Sequence, residues 1–170
     1  MKQVIKIVVT GPFSAGKTEL IKAVSEIEVI STEKKLTREG MPGKEETTVA
    51  MDYGRTTLND MTIQLFGTPG QPRFDFMWDI LASEMDGFVV VVDSADPSTF
   101  DVAKKLIKLF RSFENVPYIV AANKQDLEGA LSPQEMRRML DLEPKVKVAQ
   151  CIATDPIVIK QILLELTKEL

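Results

Sequence analysis

Eight consecutive residues, Gly11-Pro-Phe-Ser-Ala-Gly-Lys17-Thr18, have the types and spacing needed to hold a polyphosphate. The two framing glycines let the backbone curl so that successive N–H groups converge on an anion, and the positive end of a following helix adds to the attraction. Such a P-loop needs a strand before it and a helix after it. Both are present: the β-branched run Val4-Ile5-Lys6-Ile7-Val8-Val9 precedes it, and Glu19-Leu20-Ile21-Lys22-Ala23-Val24 comes after. Gly11, Ser14, Ala15 and Gly16 are placed to cradle phosphate. Lys17 reaches the outer phosphates, and the Thr18 hydroxyl suits Mg²⁺.

A P-loop does not select the base, but Asn123-Lys124-Gln125-Asp126 does. This tetrapeptide comes after the apolar run Tyr118-Ile119-Val120-Ala121-Ala122, so it falls at the carboxyl end of a buried strand, where open α/β sheets bind ligands. The Asp126 carboxylate can accept from both the N1–H and the exocyclic amine of guanine, a donor pair that adenine lacks. Asn123 can tie this loop to the P-loop, and the Lys124 stem can cover the base. GTP or GDP with Mg²⁺ is therefore the expected ligand. An ATP-dependent P-loop kinase would leave the tetrapeptide unexplained.

The elements that must position these residues alternate between strand and helix. Strands are predicted at about Gln3–Thr10, Phe88–Asp93 and Pro117–Ala122, with a weaker one at Lys145–Gln150. Helices are predicted from Lys17 to about Ser25, at Pro97–Phe113, from Ser132 to about Leu140 and at about Pro156–Lys168. Ser132-Pro133-Gln134-Glu135 reads as a capping box with proline at the first helical position. Residues Thr47–Thr57 and Met61–Phe66 alternate around Asn59-Asp60 as an antiparallel hairpin, whereas Ser31 to Glu46 is polar and carries no buried period. The fold class is α/β: a P-loop NTPase fold with a mostly parallel six-stranded sheet, one antiparallel edge strand and helices on both faces.

Composition sets further bounds. The chain has 170 residues, 44% hydrophobic and 27% charged, which reads as one soluble domain spanning 1–170. A net charge of −4 argues against a nucleic-acid surface. With no His, imidazole catalysis is excluded, and the single cysteine, Cys151, can form no intrachain disulfide. No membrane span, signal peptide, myristoylation glycine or prenylation cysteine is read, so a cytoplasmic protein without lipid anchor is expected.

With both motifs read, the chain resembles the Ras-like small GTPases along essentially its whole length, as a single G domain. Asn123-Lys-Gln-Asp-Leu127 looks Arf-like. Thr47-Thr48-Val-Ala-Met-Asp-Tyr-Gly54 and Phe66-Gly-Thr-Pro-Gly-Gln71 look like prokaryotic small GTPases related to the gliding protein MglA. The resemblance implies that the polar stretch at 31–46 is switch I. It implies that Thr48 meets Mg²⁺ and the γ-phosphate, that the Gly70 N–H contacts the γ-phosphate, and that Gln71 orients the attacking water. It also implies that the backbone N–H of Ala153, in Cys151-Ile-Ala-Thr-Asp155, binds the guanine oxygen. Effectors and regulators would act through the switches, with roadblock-type small proteins as reasonable partners.

Two positions depart from the family pattern. Phe13 stands where Ras has a small glycine, and it either crowds the γ-phosphate and an incoming arginine or merely packs against a switch. Gly67 replaces the strand-end acid that binds Mg²⁺ through water. In the predicted hairpin Leu58 pairs with Met61, so Asp52 lies opposite Gly67, with side-chain roots about 4.5–5.5 Å apart. A glycine there leaves space for the Asp52 carboxylate to lean toward the magnesium shell. Asp52 also shares a face with Thr48 by the two-residue period.

The expected function is a switch that slowly hydrolyses GTP to GDP and phosphate. The alternative is a GTP-binding interaction module with little or no hydrolysis, which Phe13 and Gly67 favour. Other residues stay open between two readings. Phe74, Phe76, Met77 and Trp78 form either a partner surface or core, Lys34, Lys35 and Arg38 either a contact or a solvated loop, and Arg55 either an internal arginine finger or a strand charge.

Overall fold

Side-chain alternation along the central strands divides the apolar interior into two layers, one on each side of a sheet. The computed structural model describes residues 3–37, 46–69 and 78–170, with the backbone alone at 32–37 and 46–50. On β1 (Val4–Thr10), Ile5, Ile7 and Val9 enter one layer and Val8 the other. β5 (Gly87–Asp93) and β6 (Tyr118–Asn123) repeat the pattern: Val89, Val91, Ile119 and Ala121 point one way, Phe88, Val90, Val92 and Val120 the other. Burial on both faces is why these strands read as continuous apolar runs.

The first layer is closed by α1 (Lys17–Val24) and α5 (Pro156–Thr167), through Leu20, Ile21, Ile159, Ile162, Leu163 and Leu166. The second is closed by α2 (Trp78–Ala82), α3 (Phe100–Phe113) and α4 (Pro133–Met139). α4 begins with the expected capping box: the Glu135 N–H donates to Ser132 Oγ at 3.2 Å, and the Ser132 N–H donates to the Glu135 carboxylate at 2.8 Å. Those bonds hold the Glu135 carboxyl below the usual range. The helix expected from Pro97 opens as a 3-10 turn, Pro97–Thr99, capped by Asp96, before α3 begins at Phe100.

β2 (Ile30–Thr37), β3 (Glu46–Leu58), β4 (Met61–Gly67) and β7 (Lys147–Gln150) complete a sheet of order β2-β3-β4-β1-β5-β6-β7. β1 is parallel to β4 and β5, and β5, β6 and β7 continue in parallel, while β3 runs antiparallel to both its neighbours. The mostly parallel sheet with helices on both faces is as expected, but it has seven strands instead of six. The additional strand is β2, inside the stretch without a buried period. An edge strand needs only a backbone ladder on one side, and β2 finds it along β3 from Ile30 with Tyr53 to Thr37 with Glu46. β2 therefore forms the edge, with β3 one strand in. β7 starts at Lys147, two residues later than expected, and α2 leaves no helical signal in the sequence.

The hairpin register is as expected. Asn59 and Asp60 make the two-residue turn with φ of 47° and 65°, Leu58 pairs with Met61, and Asp52 pairs with Gly67. On the same face as Asp52, Gly54 lies so close to α1 that a Cβ there would sit 2.6 Å from Ile21 Cγ2 and 3.0 Å from Ser25 Oγ. Gly54→Ala should lower the unfolding free energy by about 1–3 kcal/mol through this overpacking. Urea denaturation reads the change directly, and wild-type stability would contradict close α1–β3 packing.

Candidate functional site

The parallel strands β1, β5 and β6 end at one edge of the sheet, and the residues singled out for chemistry lie in the loops beyond them. Thr10 leads from β1 into the loop at 11–16, Asp93 ends β5 and Asn123 ends β6. The loop after β7 carries Cys151 to Asp155. A crevice at the carboxyl ends of parallel strands is where this architecture places ligands.

Close approach dictates both framing glycines. At Gly11, φ is 151° and a Cβ would collide with the Val91 carbonyl oxygen; at Gly16, φ is 110° and a Cβ would collide with the Asn123 side-chain nitrogen. Ser14 takes φ of 63° between them, and the Ala15 N–H closes a turn on the Pro12 carbonyl at 3.2 Å. The buried Lys17 ammonium donates to the Gly11 and Pro12 carbonyls at 2.7 and 2.9 Å. Burial pulls its pKa down to about 8, with the Asp52 carboxylate opposing the shift.

Asn123 joins three loops with one buried amide. Its Nδ2 donates to the Ala15 carbonyl at 2.8 Å, and its Oδ1 accepts the Ala153 N–H at 2.7 Å. The N–H expected to meet a guanine oxygen thus has a protein partner here. Lys124, at φ of 62°, sends its ammonium to the Ser14 carbonyl at 2.9 Å and to Asp93 Oδ2 at 2.8 Å. Gln125 Nε2 is bonded to Ser94 Oγ and to the Leu131 carbonyl, while Asp126 is exposed. Cys151 is buried, its thiol pushed up to about 12, so it is no nucleophile.

Asp52 reaches across from β3. The Thr18 hydroxyl donates to Asp52 Oδ2 at 2.5 Å, and the Ser31 hydroxyl, on β2, donates to Oδ1 at 2.8 Å. The space at Gly67 is not empty: a Cβ there would lie 2.9 Å from Ile21 Cδ1 and 3.2 Å from Asp52 Cβ. A side chain at 67 would compete with the packing that places Asp52. Hard oxygen donors from Thr18 and Asp52 suit Mg²⁺, which binds few protein ligands and keeps several waters. No group of three or more His, Cys, Asp or Glu side chains converges among the described residues, so an ion would draw its remaining ligands from hydroxyls, phosphate and water.

Other expectations resolve unevenly. Gly70, Gln71, Phe74, Phe76, Met77 and Arg38 lie outside the described residues. Thr48 lies in β3, its backbone paired with Lys35 of β2. Trp78 is core, 6% exposed, and its indole N–H donates to the Pro69 carbonyl at 3.2 Å. Phe13 is 67% exposed at the rim of the phosphate loop. Arg55 pairs with Gln64 and falls on the face opposite Asp52 and Gly54, away from Thr18, which removes the internal-finger reading. Sequence reasoning missed Asp93 and Ser31. Asp93 left one signal, a carboxylate at the carboxyl end of an otherwise apolar strand; Ser31 left none, because its strand was not recognised.

A family model for the ADP-ribosylation factor family matches residues 1–170. An uncharacterized protein of Methanocaldococcus jannaschii is 34% identical over 150 residues, spanning 88% of this chain and 87% of its own. ADP-ribosylation factor-like protein 8b of Arabidopsis thaliana is 31% identical over 145 residues, spanning 84% and 72%. Among solved structures, the Arl6 BBS3 small GTPase from Trypanosoma brucei with bound nucleotide analogue GppNp matches with a TM-score of 0.76, covering 98% of this chain and 96% of that one. At 20% identity, that likeness establishes the fold.

The burial of Lys17 predicts a pH dependence for the nucleotide-free protein. Between about 8 and the ordinary 10.5, the unfolded chain keeps the Lys17 proton and the folded chain does not. Unfolding then takes up a proton, so stability rises with pH across that window. Relative to Lys17→Met, the wild type should gain about 1–3 kcal/mol from pH 8 to 10.5. Parallel stability curves for the two proteins would show that the ammonium is not held in a dry site.

Proposed function

The chain belongs to the ADP-ribosylation factor family, and on that premise we propose that it is a guanine-nucleotide switch that binds GTP or GDP with Mg²⁺ and slowly hydrolyses GTP to GDP and phosphate. The observation that carries this reading is the Asn123 amide, which makes the phosphate loop at Ala15 and the base loops at 123–126 and 151–155 one hydrogen-bonded unit. Such a unit matches a ligand with a polyphosphate at one end and a base at the other.

In this reading the exposed Asp126 accepts from the guanine N1–H and amine, the Lys124 stem covers the ring, and the Ala153 loop borders the guanine oxygen. Backbone N–H groups of Gly11, Ser14, Ala15 and Gly16 hold the phosphates. Lys17 exchanges its contacts with the Gly11 and Pro12 carbonyls for phosphate oxygens, a stronger partner for a desolvated ammonium. The Thr18 hydroxyl, its proton directed to Asp52, keeps lone pairs for Mg²⁺, and Asp52 orients that hydroxyl and the shell of water around the ion. When bound, the ion offsets charge on the β- and γ-phosphates.

Hydrolysis then needs positioning more than covalent chemistry. Gln71 orients a water whose oxygen bonds to the γ-phosphorus as the bond to the bridging oxygen breaks, and the water's proton leaves with the phosphate product. Thr48 and Gly70 sense the γ-phosphate, and its loss releases the switch segments, changing the surface that effector or regulatory proteins read. Among the described residues no helix is long and apolar enough to cross a membrane.

A GTP-binding module with little turnover is the second reading, favoured by the exposed Phe13 ring beside the phosphate loop. Single-turnover hydrolysis separates the two. The switch should turn over at about 10⁻⁴–10⁻² s⁻¹ without a partner. Gln71→Leu should slow it roughly tenfold while GTP binding stays nearly intact, because water positioning matters mainly in the transition state. Tight GTP binding with no release of phosphate, in wild type and in Phe13→Gly alike, would establish the module.

A further inference from the structure

The ammonium of Lys124 is anchored by a carboxylate that belongs to neither nucleotide-binding motif. Asp93 ends β5 and pairs with Asn123 in the β5–β6 register, so it stands beside the base loop. Its Oδ2 lies 2.8 Å from Lys124 Nζ, and its Oδ1 accepts the Ala95 N–H at 2.9 Å. The side chains are only 14% exposed for Asp93 and 31% for Lys124. The same ammonium donates to the Ser14 carbonyl at 2.9 Å.

We propose that Asp93 is a positioning residue for the nucleotide: by anchoring the Lys124 ammonium against the phosphate loop, it fixes the lysine stem as a wall of the base pocket and sets how long guanine nucleotide stays bound. The proposal rests on the guanine-nucleotide reading above.

A free lysine side chain samples many rotamers, and ordering it over a base costs entropy at the moment of binding. Here both ends of the stem are fixed in advance. The backbone end is set by the left-handed conformation of residue 124, at φ of 62°, and the far end by Asp93 and Ser14. Exposed ion pairs contribute little because two mobile side chains must be held in one geometry. Asp93 escapes that cost, since the Ala95 N–H holds its other oxygen and the strand holds its backbone. The neighbouring acid is not a competitor: Asp96 is engaged by the Ser98 N–H and hydroxyl. Because the Ser14 carbonyl belongs to the phosphate loop, the ammonium also joins the base wall to the polyphosphate end. Loss of the Asp93 charge should therefore speed release of the whole nucleotide.

A turn-capping role for Asp93 predicts something different. Asp93→Asn keeps an oxygen for the Ala95 N–H and replaces the charged acceptor that faces Lys124 with an uncharged amide; Asp93→Ser, whose hydroxyl can also accept that N–H, gives a second charge-free variant should the first fold poorly. The measurement is release of a fluorescent N-methylanthraniloyl GDP from the full chain, with Mg²⁺ and excess unlabelled GDP. Asp93→Asn should speed release about tenfold, as expected for a lost hydrogen bond between charged groups. Lys124→Met keeps the stem but not the ammonium and should release at least as fast. Adding Asp93→Asn to Lys124→Met should change nothing further, because Asp93 acts through the ammonium. Unchanged release in Asp93→Asn overturns the proposal, as does the same tenfold increase in the Lys124→Met background, which would assign Asp93 to loop folding. Wild-type protein that does not bind the labelled GDP, or that yields it to ATP as readily as to GDP, overturns the guanine reading and this proposal with it.

Discussion

The site depends on a register. A two-residue turn at Asn59 and Asp60 fixes β3 against β4 so that Asp52 lies opposite Gly67, on the face that meets α1. A slip of one residue would turn Asp52 to the other face and put Tyr53 against Ile21. The register in turn demands small residues where α1 passes closest, at Gly54 and Gly67, each of which would crowd Ile21 with any side chain. It brings a carboxylate into contact with the Thr18 hydroxyl at the start of α1, supplied from the strand next to the one where the family pattern has its acid. The Ser31 bond extends the dependence to β2, since the outermost strand contributes a hydroxyl to the same carboxylate.

A second constraint gathers the remaining loops. Parallel strands end on one side, and their loops approach so closely that the groups between them must be either absent or hydrogen-bonded. Gly16 leaves room for the Asn123 amide, and that amide satisfies the Ala15 carbonyl and the Ala153 N–H in a buried setting, where unpaired polar groups are costly. Uncommon backbone conformations gather here too, at Ser14 and Lys124. The same site buries the Lys17 ammonium, and burial lowers its pKa although the Asp52 carboxylate opposes the shift. Unfavourable placements of this kind are found where a ligand is to complete the set of interactions.

The sequence made legible whatever rests on local chemistry or simple periodicity. The phosphate loop, the strand-end tetrapeptide, the capping box at Ser132 and the Asp52–Gly67 pairing all derive from residue types at fixed spacing. Arg55 stayed open between two readings until the β3–β4 register put it on the face away from Asp52. β2 was not legible, because a polar edge strand is held by backbone bonds that leave no apolar pattern. Asp93 and Ser31 act on residues far away in the chain, so their roles emerge only once β5 and β2 are placed. Trp78 could be core or surface until α2 buried it against Phe110, 6.2 Å between ring centroids. The role expected of Ala153 came from family resemblance, and the structure adds what no motif states, that its N–H is held by Asn123.

The central claim is that Asp52 takes the place of the strand-end acid that Gly67 replaces, in holding Mg²⁺ with nucleotide. Magnesium titration of the binding of a non-hydrolysable GTP analogue tests it, comparing wild type with Asp52→Ala and with Ser31→Ala, which removes a hydrogen bond but leaves the carboxylate. Loss of a group that orients a metal ligand typically weakens metal binding by about 10–100-fold. Asp52→Ala should therefore need at least roughly tenfold more Mg²⁺ for half-maximal binding, with Ser31→Ala much closer to wild type. Superimposable titrations for Asp52→Ala and wild type would contradict the claim and leave the ion to Thr18, Thr48, the phosphates and water.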